Sequence, residues 1–250
     1  MVSVTQRITK IKQPRGGYVR PKDFTVTDLS DGHTLYEDEN VHSSLIGTVV
    51  DYLTRYSNGT SKGEVFRVSL SGAMKVKEFE LANDLLMDIE GLDDNSIVSA
   101  CKLVGFDVAY RAGKMAYTPV KGICPDEDTI DNIRVMVNRS LSFLKLYGPI
   151  VKDGFTFEGG YTSTINSGDG DFLTKDTLWD FKVLKNAPAS KHTLQLLIYY
   201  LLGVNSVHPE FKQIENLGMF NPRLNKVYLL PVSSISEEVL NKVKSTVIGY

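Results

Sequence analysis

The stretch Ser167–Lys185, SGDGDFLTKDTLWDFKVLK, places Asp171, Asp180 and Lys182 within a few residues of one another. Its β-branched and aromatic residues, split by turn-like NSGDG and KD, predict short strands rather than a surface helix. In a strand over LWDFKVL, successive side chains point to opposite faces. Trp179, Phe181 and Val183 then share one face. Asp180 and Lys182 share the other, their Cα atoms about 6.6 Å apart at roughly 3.3 Å per residue. Alone, such a pair reads as a solvated strand face with a surface ion pair, which contributes little. The context adds Asp171, which opens the preceding strand, where a hairpin would carry it beside Asp180. Two carboxylates held close are unfavourable unless one is protonated or a cation lies between them. Magnesium or manganese, which favour oxygen ligands, would relieve that conflict.

The next element carries a second polar feature. TLQLLIYYLL is a buried helix with Gln195 among apolar neighbours, and an unpartnered buried amide costs on the order of 1–3 kcal/mol. Tyr199 lies one turn later on the same face. The pair either bonds core backbone or faces the Asp171–Asp180–Lys182 group.

The order Asp171, then Asp180-Phe-Lys182, then Gln195-Leu-Leu-Ile-Tyr199 resembles the PD-(D/E)XK nuclease superfamily, and the QxxxY element resembles its RecB-like and lambda-exonuclease-like branch. GTVVD offers Gly47 and Asp51 for that family's G-x-x-x-(E/H) helix, with aspartate replacing the usual glutamate or histidine. The resemblance covers mainly residues 40–57 and 155–203. It implies an α/β fold with a restriction-endonuclease-like αβββαβ core, a central mixed sheet flanked by helices; a helical insertion, outside the resemblance, adds to it. It further implies Mg2+ or Mn2+ held by Asp171, Asp180 and the Phe181 carbonyl, with Asp51 direct or through water. Lys182 would orient or help deprotonate the attacking water and offset phosphate charge, and Gln195 and Tyr199 would position the acidic group or the DNA backbone. The implied activity is hydrolysis of DNA phosphodiester bonds, in end processing during repair or recombination, or in defence. Exonuclease and endonuclease action both stay open, as do single- and double-stranded DNA. Lys191 and His192 would touch phosphate. The alternative is a non-cleaving nucleic-acid-binding or protein-interaction module on the same fold, with a protein partner or a second copy of the chain.

Several elements must position these residues. The segment 1–30 reads as a basic arm or short strands, because residues 1–22 hold Arg7, Lys10, Lys12, Arg15, Arg20 and Lys22 and no acid. YEDENVHSSLIGTVVDYLTRYSNG predicts a helix, its stripe Leu45, Val49, Tyr52, Leu53 and Tyr56 ended by SNG. Residues 72–148 read as a helical insertion, and 155–250 as the sheet and helices that carry the main motifs. NKVYLLPVSSI predicts a strand, NPRLNK a β-turn, and SEEVLNKVKSTVIGY a closing helix capped by Ser236 or Ser234. Asp169, beside Gly168 and Gly170, reads as a turn residue.

Composition limits the alternatives. A chain of 250 residues at 42% hydrophobic and 23% charged is an ordinary globular one, here expected as a single nuclease-like domain. Two cysteines, Cys101 and Cys124, exclude a four-cysteine metal or iron–sulfur site within one chain. No P-loop pattern indicates an ATP motor, and His33, His42 and His208 have no zinc-like spacing. The first residues lack the apolar core of a signal peptide, no stretch predicts a membrane span, and the cytoplasm is the default compartment.

Overall fold

The computed structural model describes residues 2–250. The chain divides into two compact units. One comprises the N-terminal segment to Ser30 together with Leu144–Tyr250, and the other is Asp31–Phe143.

The first is an α/β unit built on a six-stranded mixed sheet. Its strands are β1 (Thr25–Asp28), β2 (Lys152–Thr156), β3 (Asp169–Leu173), β4 (Thr177–Phe181), β5 (Asn216–Asn221) and β6 (Lys226–Pro231), in the order β1-β6-β5-β4-β3-β2. All neighbours are antiparallel except β4 and β5. A parallel pair needs a crossover, and a helix over Ser190–Val204 supplies it. That helix is apolar around most of its circumference, as a helix buried on several sides must be. Leu194, Leu197 and Leu201 pack with Leu178, Leu217 and Leu230 of the sheet in one apolar core. The other sheet face carries Trp179, which meets Tyr147 edge-on at 5.3 Å and stacks on Phe172 at 6.4 Å.

The second unit is helical. With the flanking elements, the helices in chain order are α1 (Val4–Thr9), α2 (Ser43–Ser57), α3 (Lys62–Val65), α4 (Arg67–Val76), α5 (Phe79–Asp88), α6 (Asp94–Val104), α7 (Asp107–Arg111), α8 (Glu127–Tyr147), α9 (the Ser190–Val204 crossover) and α10 (Glu237–Val243). The division between units falls inside α8. The helical unit is knit by Asp107, a buried carboxylate that accepts from the Tyr52 hydroxyl at 2.8 Å and the Ser69 hydroxyl at 2.5 Å. Burial pushes both the Asp107 carboxyl and the Tyr52 phenol above their ordinary values. Two hydroxyl donors satisfy the carboxylate and tie α2, α4 and α7 together.

Three features differ from the sequence-based expectations. The helical unit begins at residue 31 rather than 72, because α2 packs with α6 and α3. The N-terminal segment, expected as a basic arm or short strands, holds the strand β1 but begins with the helix α1. Ser3 caps α1 by accepting from the Gln6 N–H while the Gln6 side chain accepts from the Ser3 N–H, a reciprocal capping box. The strand β5 has no counterpart in the sequence reading, since NLGMFN mixes asparagine, glycine and methionine, all weak strand signals. Gly218 is required there by packing. A Cβ on it would stand 2.4 Å from the Trp179 ring. Among the described residues no helix is long and apolar enough to cross a membrane.

Gly218→Ala is therefore expected to destabilise the sheet unit by about 1–3 kcal/mol through overpacking. Urea titration followed by emission of Trp179, the single tryptophan, measures it. An unchanged midpoint would show that the ring has room to move.

Candidate functional site

The β3–β4 ladder pairs Phe172 with Trp179 and Leu173 with Leu178, so its continuation sets Asp171 opposite Asp180. Leu173 and Leu178 belong to the core beneath α9. By the two-residue period of a strand, Asp171 and Asp180 face that same side. Past the ladder's end the Asp171 carboxylate replaces a main-chain acceptor: its Oδ2 accepts from the Phe181 N–H at 2.6 Å. This fixes the Asp171 side chain against the end of β4, the strand that carries Asp180 and leads into Lys182.

Asp180 is buried, with 1% exposure. Its Oδ1 accepts from Lys182 Nζ at 2.7 Å, and its Oδ2 is buried with no hydrogen-bond partner. Burial pushes the Asp180 carboxyl above the ordinary carboxylate value, with the Lys182 ammonium opposing. Asp180 and Asp171 offer carboxylate oxygens on this side of the sheet, the donor type that magnesium and manganese take.

The helix α9 closes the site from above. His192, Gln195 and Tyr199 are spaced at three and four residues and so lie along one helix face. Gln195 Nε2 donates to the Tyr199 hydroxyl oxygen at 2.8 Å, which satisfies a nearly buried amide. The Tyr199 phenol is pushed well above its ordinary value, first by burial, then by the charge of Asp180 and then by that of Asp171. It stays protonated, and its O–H hydrogen remains free for an acceptor. The ring stacks on Phe157 at 5.2 Å. At the other end of the stripe, burial and the charges of Lys182 and Lys191 bring the His192 imidazole down to about 4. His192 is neutral at pH 7, and its Nδ1 accepts from the Ala189 N–H at 2.9 Å. Positive charge at this end resides on Lys182 and the exposed Lys191, and His192 can offer phosphate only a neutral N–H.

Asp171, Asp180, Lys182, Gln195 and Tyr199 thus come together within the sheet unit, with Phe181, the last residue of β4, between Asp180 and Lys182. Asp51 stands in α2 of the helical unit. Asp169, read as a turn residue, instead opens β3, and its charge also acts on Tyr199. The alternation Asp169-x-Asp171 is the signal that could have placed both on one face. The SGDG loop is pinned rather than loose: Val4 N–H donates to the Ser167 carbonyl at 3.1 Å and the Tyr161 hydroxyl to the Gly168 carbonyl at 2.8 Å. Among the described residues no three His, Cys, Asp or Glu side chains stand close enough together to hold an ion by themselves. Any cation here would complete its shell from main-chain oxygen, water or substrate.

The buried charge makes a stability prediction with a definite sign. At neutral pH, Asp180→Asn should raise the unfolding free energy by about 1–3 kcal/mol, since a desolvated, half-satisfied anion is removed. Lys182 can turn its ammonium to solvent along its own stem. Because the folded-state pKa of Asp180 is raised, the wild-type penalty is present above that pKa and disappears as pH falls through it. The gap between the Asp180→Asn variant and the wild type must therefore close toward acid. Denaturant titrations across that pH range measure it. A variant less stable than wild type at neutral pH, or a gap that widens in acid, would refute this account.

Comparison of the chain with protein-family models, with curated proteins and with solved structures yields no match.

Proposed function

We propose that the chain is a metal-dependent nuclease that hydrolyses DNA phosphodiester bonds at the Asp171–Asp180–Lys182 site. The observation that carries this reading is the Asp180 carboxylate: buried, bonded to Lys182 through one oxygen, orphaned at the other, and next in the chain to Phe181, whose N–H donates to Asp171. The run β2-β3-β4-α9-β5 supports the resemblance to a PD-(D/E)XK core, as does the placement of Gln195 and Tyr199 over the two carboxylates.

Asp171 and Asp180 would hold magnesium or manganese, with the Phe181 carbonyl as a further ligand. When bound, such an ion lowers the pKa of water and stabilises charge on phosphate. Lys182, fixed on Asp180, would orient the attacking water and counter negative charge building on the phosphoryl oxygens. The protonated Tyr199, held by Gln195, would donate a hydrogen bond toward the acidic pair or the substrate backbone and keep that geometry fixed.

With plasmid and short linear DNA in magnesium or manganese, Asp180→Asn and Lys182→Ala are expected to lose about 10²–10⁴-fold in cleavage rate. Manganese should stabilise the wild type against thermal unfolding, by about 2.7 kcal/mol at a hundredfold excess over its dissociation constant, and leave Asp180→Asn unmoved. Undiminished cleavage by both variants would defeat the proposal. The absence of a three-ligand cluster among the described residues favours a second reading, a non-cleaving nucleic-acid-binding module on the same fold. Salt-sensitive DNA binding with no manganese shift would select that one.

A further inference from the structure

The net charge of −2 conceals a strong segregation. Residues 31–143 hold 11 Lys and Arg against 18 Asp and Glu, whereas the sheet unit holds 17 against 12. The helical unit is thus strongly acidic and the sheet unit basic, and only the latter matches a polyanion. Within the sheet unit, one basic feature has a fixed place relative to the candidate site. Pro14, Arg15, Gly16 and Gly17 form a β-turn closed by Gly17 N–H on the Pro14 carbonyl at 2.9 Å. Gly16 has φ +89°, the positive value that a type II turn needs at its third residue. Gly17 has φ +98°, and a Cβ there would stand 2.6 Å from Ser190 Cβ. The turn is pressed against the first residue of α9.

Side chains hold it there. Gln13 Nε2 donates to the Ser190 carbonyl at 3.2 Å, and Thr193 Oγ1 donates to the Val19 carbonyl at 2.5 Å. Val19 and Phe24 anchor the following residues in the core. Arg15, at the turn's second position, is exposed, as is Lys191 on the first turn of α9. The same helical turn feels the charge of Lys182, and Tyr199 lies two turns further on, about 10 Å from His192 along the axis. Lys182 and Lys191 thus both lie near His192, and the turn that carries Arg15 is seated on Ser190, the residue before Lys191.

We propose that the Pro14–Gly17 turn is a backbone grip for the nucleic-acid strand, with Arg15 and Lys191 taking phosphates on the Lys182 side of the bond to be cut. This rests on the nuclease reading and deepens it by giving the path of the strand. The contacts are to phosphate and therefore independent of base sequence. Two glycines and a glutamine bridge serve to seat one exposed arginine, which a merely solvated segment does not require.

The test is binding of labelled single-stranded and duplex oligonucleotides, by fluorescence anisotropy in EDTA, where no strand is cut. Arg15→Glu and Lys191→Ala are each expected to raise Kd by about five- to twentyfold, and together to reduce the slope of log K against log salt by roughly two. Arg15→Lys should retain most of the affinity. Lys114→Ala with Lys121→Ala, exposed on the acidic unit, should leave Kd unchanged. Wild-type-like affinity and salt slope in the Arg15 and Lys191 variants overturns the inference, as does failure of the wild-type chain to bind either oligonucleotide. Should an Arg15 variant melt early, the Lys191 variant alone decides. Cleavage is scored separately with metal: binding that depends on Arg15 without cleavage sinks the nuclease reading and leaves the grip standing, and cleavage indifferent to Arg15 and Lys191 does the reverse.

Discussion

A carboxylate taken out of water under a helix, with one ammonium as its partner, is the constraint around which the sheet unit is arranged. Asp180 occupies a position where the strand period would otherwise place an apolar side chain beneath α9. Its desolvation opposes the charged form, and the Lys182 contact offsets only part of that. Such a group is unfavourable for folding and is tolerated because the surrounding core, formed by α9 against β4 and β5, is large. Carboxylates poised in this way are typical of sites where charge is supplied or withdrawn during chemistry.

The same helix serves packing and chemistry on different sides. Leu194, Leu197 and Leu201 join it to the sheet, while the stripe from His192 through Gln195 to Tyr199 meets the charges of Lys182, Asp180 and Asp171 in turn. One end of the stripe carries a neutral imidazole near ammonium groups, and the other a protonated phenol near carboxylates. The helix thereby spans a steep change of potential over two turns. A phosphate backbone laid along it would find positive charge on one side of the acidic pair. The N-terminal segment reinforces both ends: Val4 packs beside Gly168 and Tyr199, and the Pro14–Gly17 turn seats on Ser190.

Much of this is legible in local sequence. A two-residue period is enough to put Asp180 and Lys182 on one strand face, and a four-residue spacing enough to pair Gln195 with Tyr199. The helix at Ser43–Ser57, the cap at Ser236 and the turn at residues 221–226 follow from local rules as well. The capping box at Ser3 and Gln6 is equally local, but the basic charges around it suggest a solvated arm instead.

Other features were decided only by tertiary contact. The strand β5 exists because Gly218 makes room for the Trp179 ring across the sheet, a relation between residues 39 positions apart that no local propensity encodes. The orphaning of Asp180 Oδ2 is a property of what surrounds it, and the seating of the Pro14–Gly17 turn depends on Ser190, far along the chain. Sequence alone determined which residues share a face, because backbone geometry repeats with a fixed period. Burial, register and charge environment were left to the tertiary structure, because they arise from segments that meet only when the chain has folded.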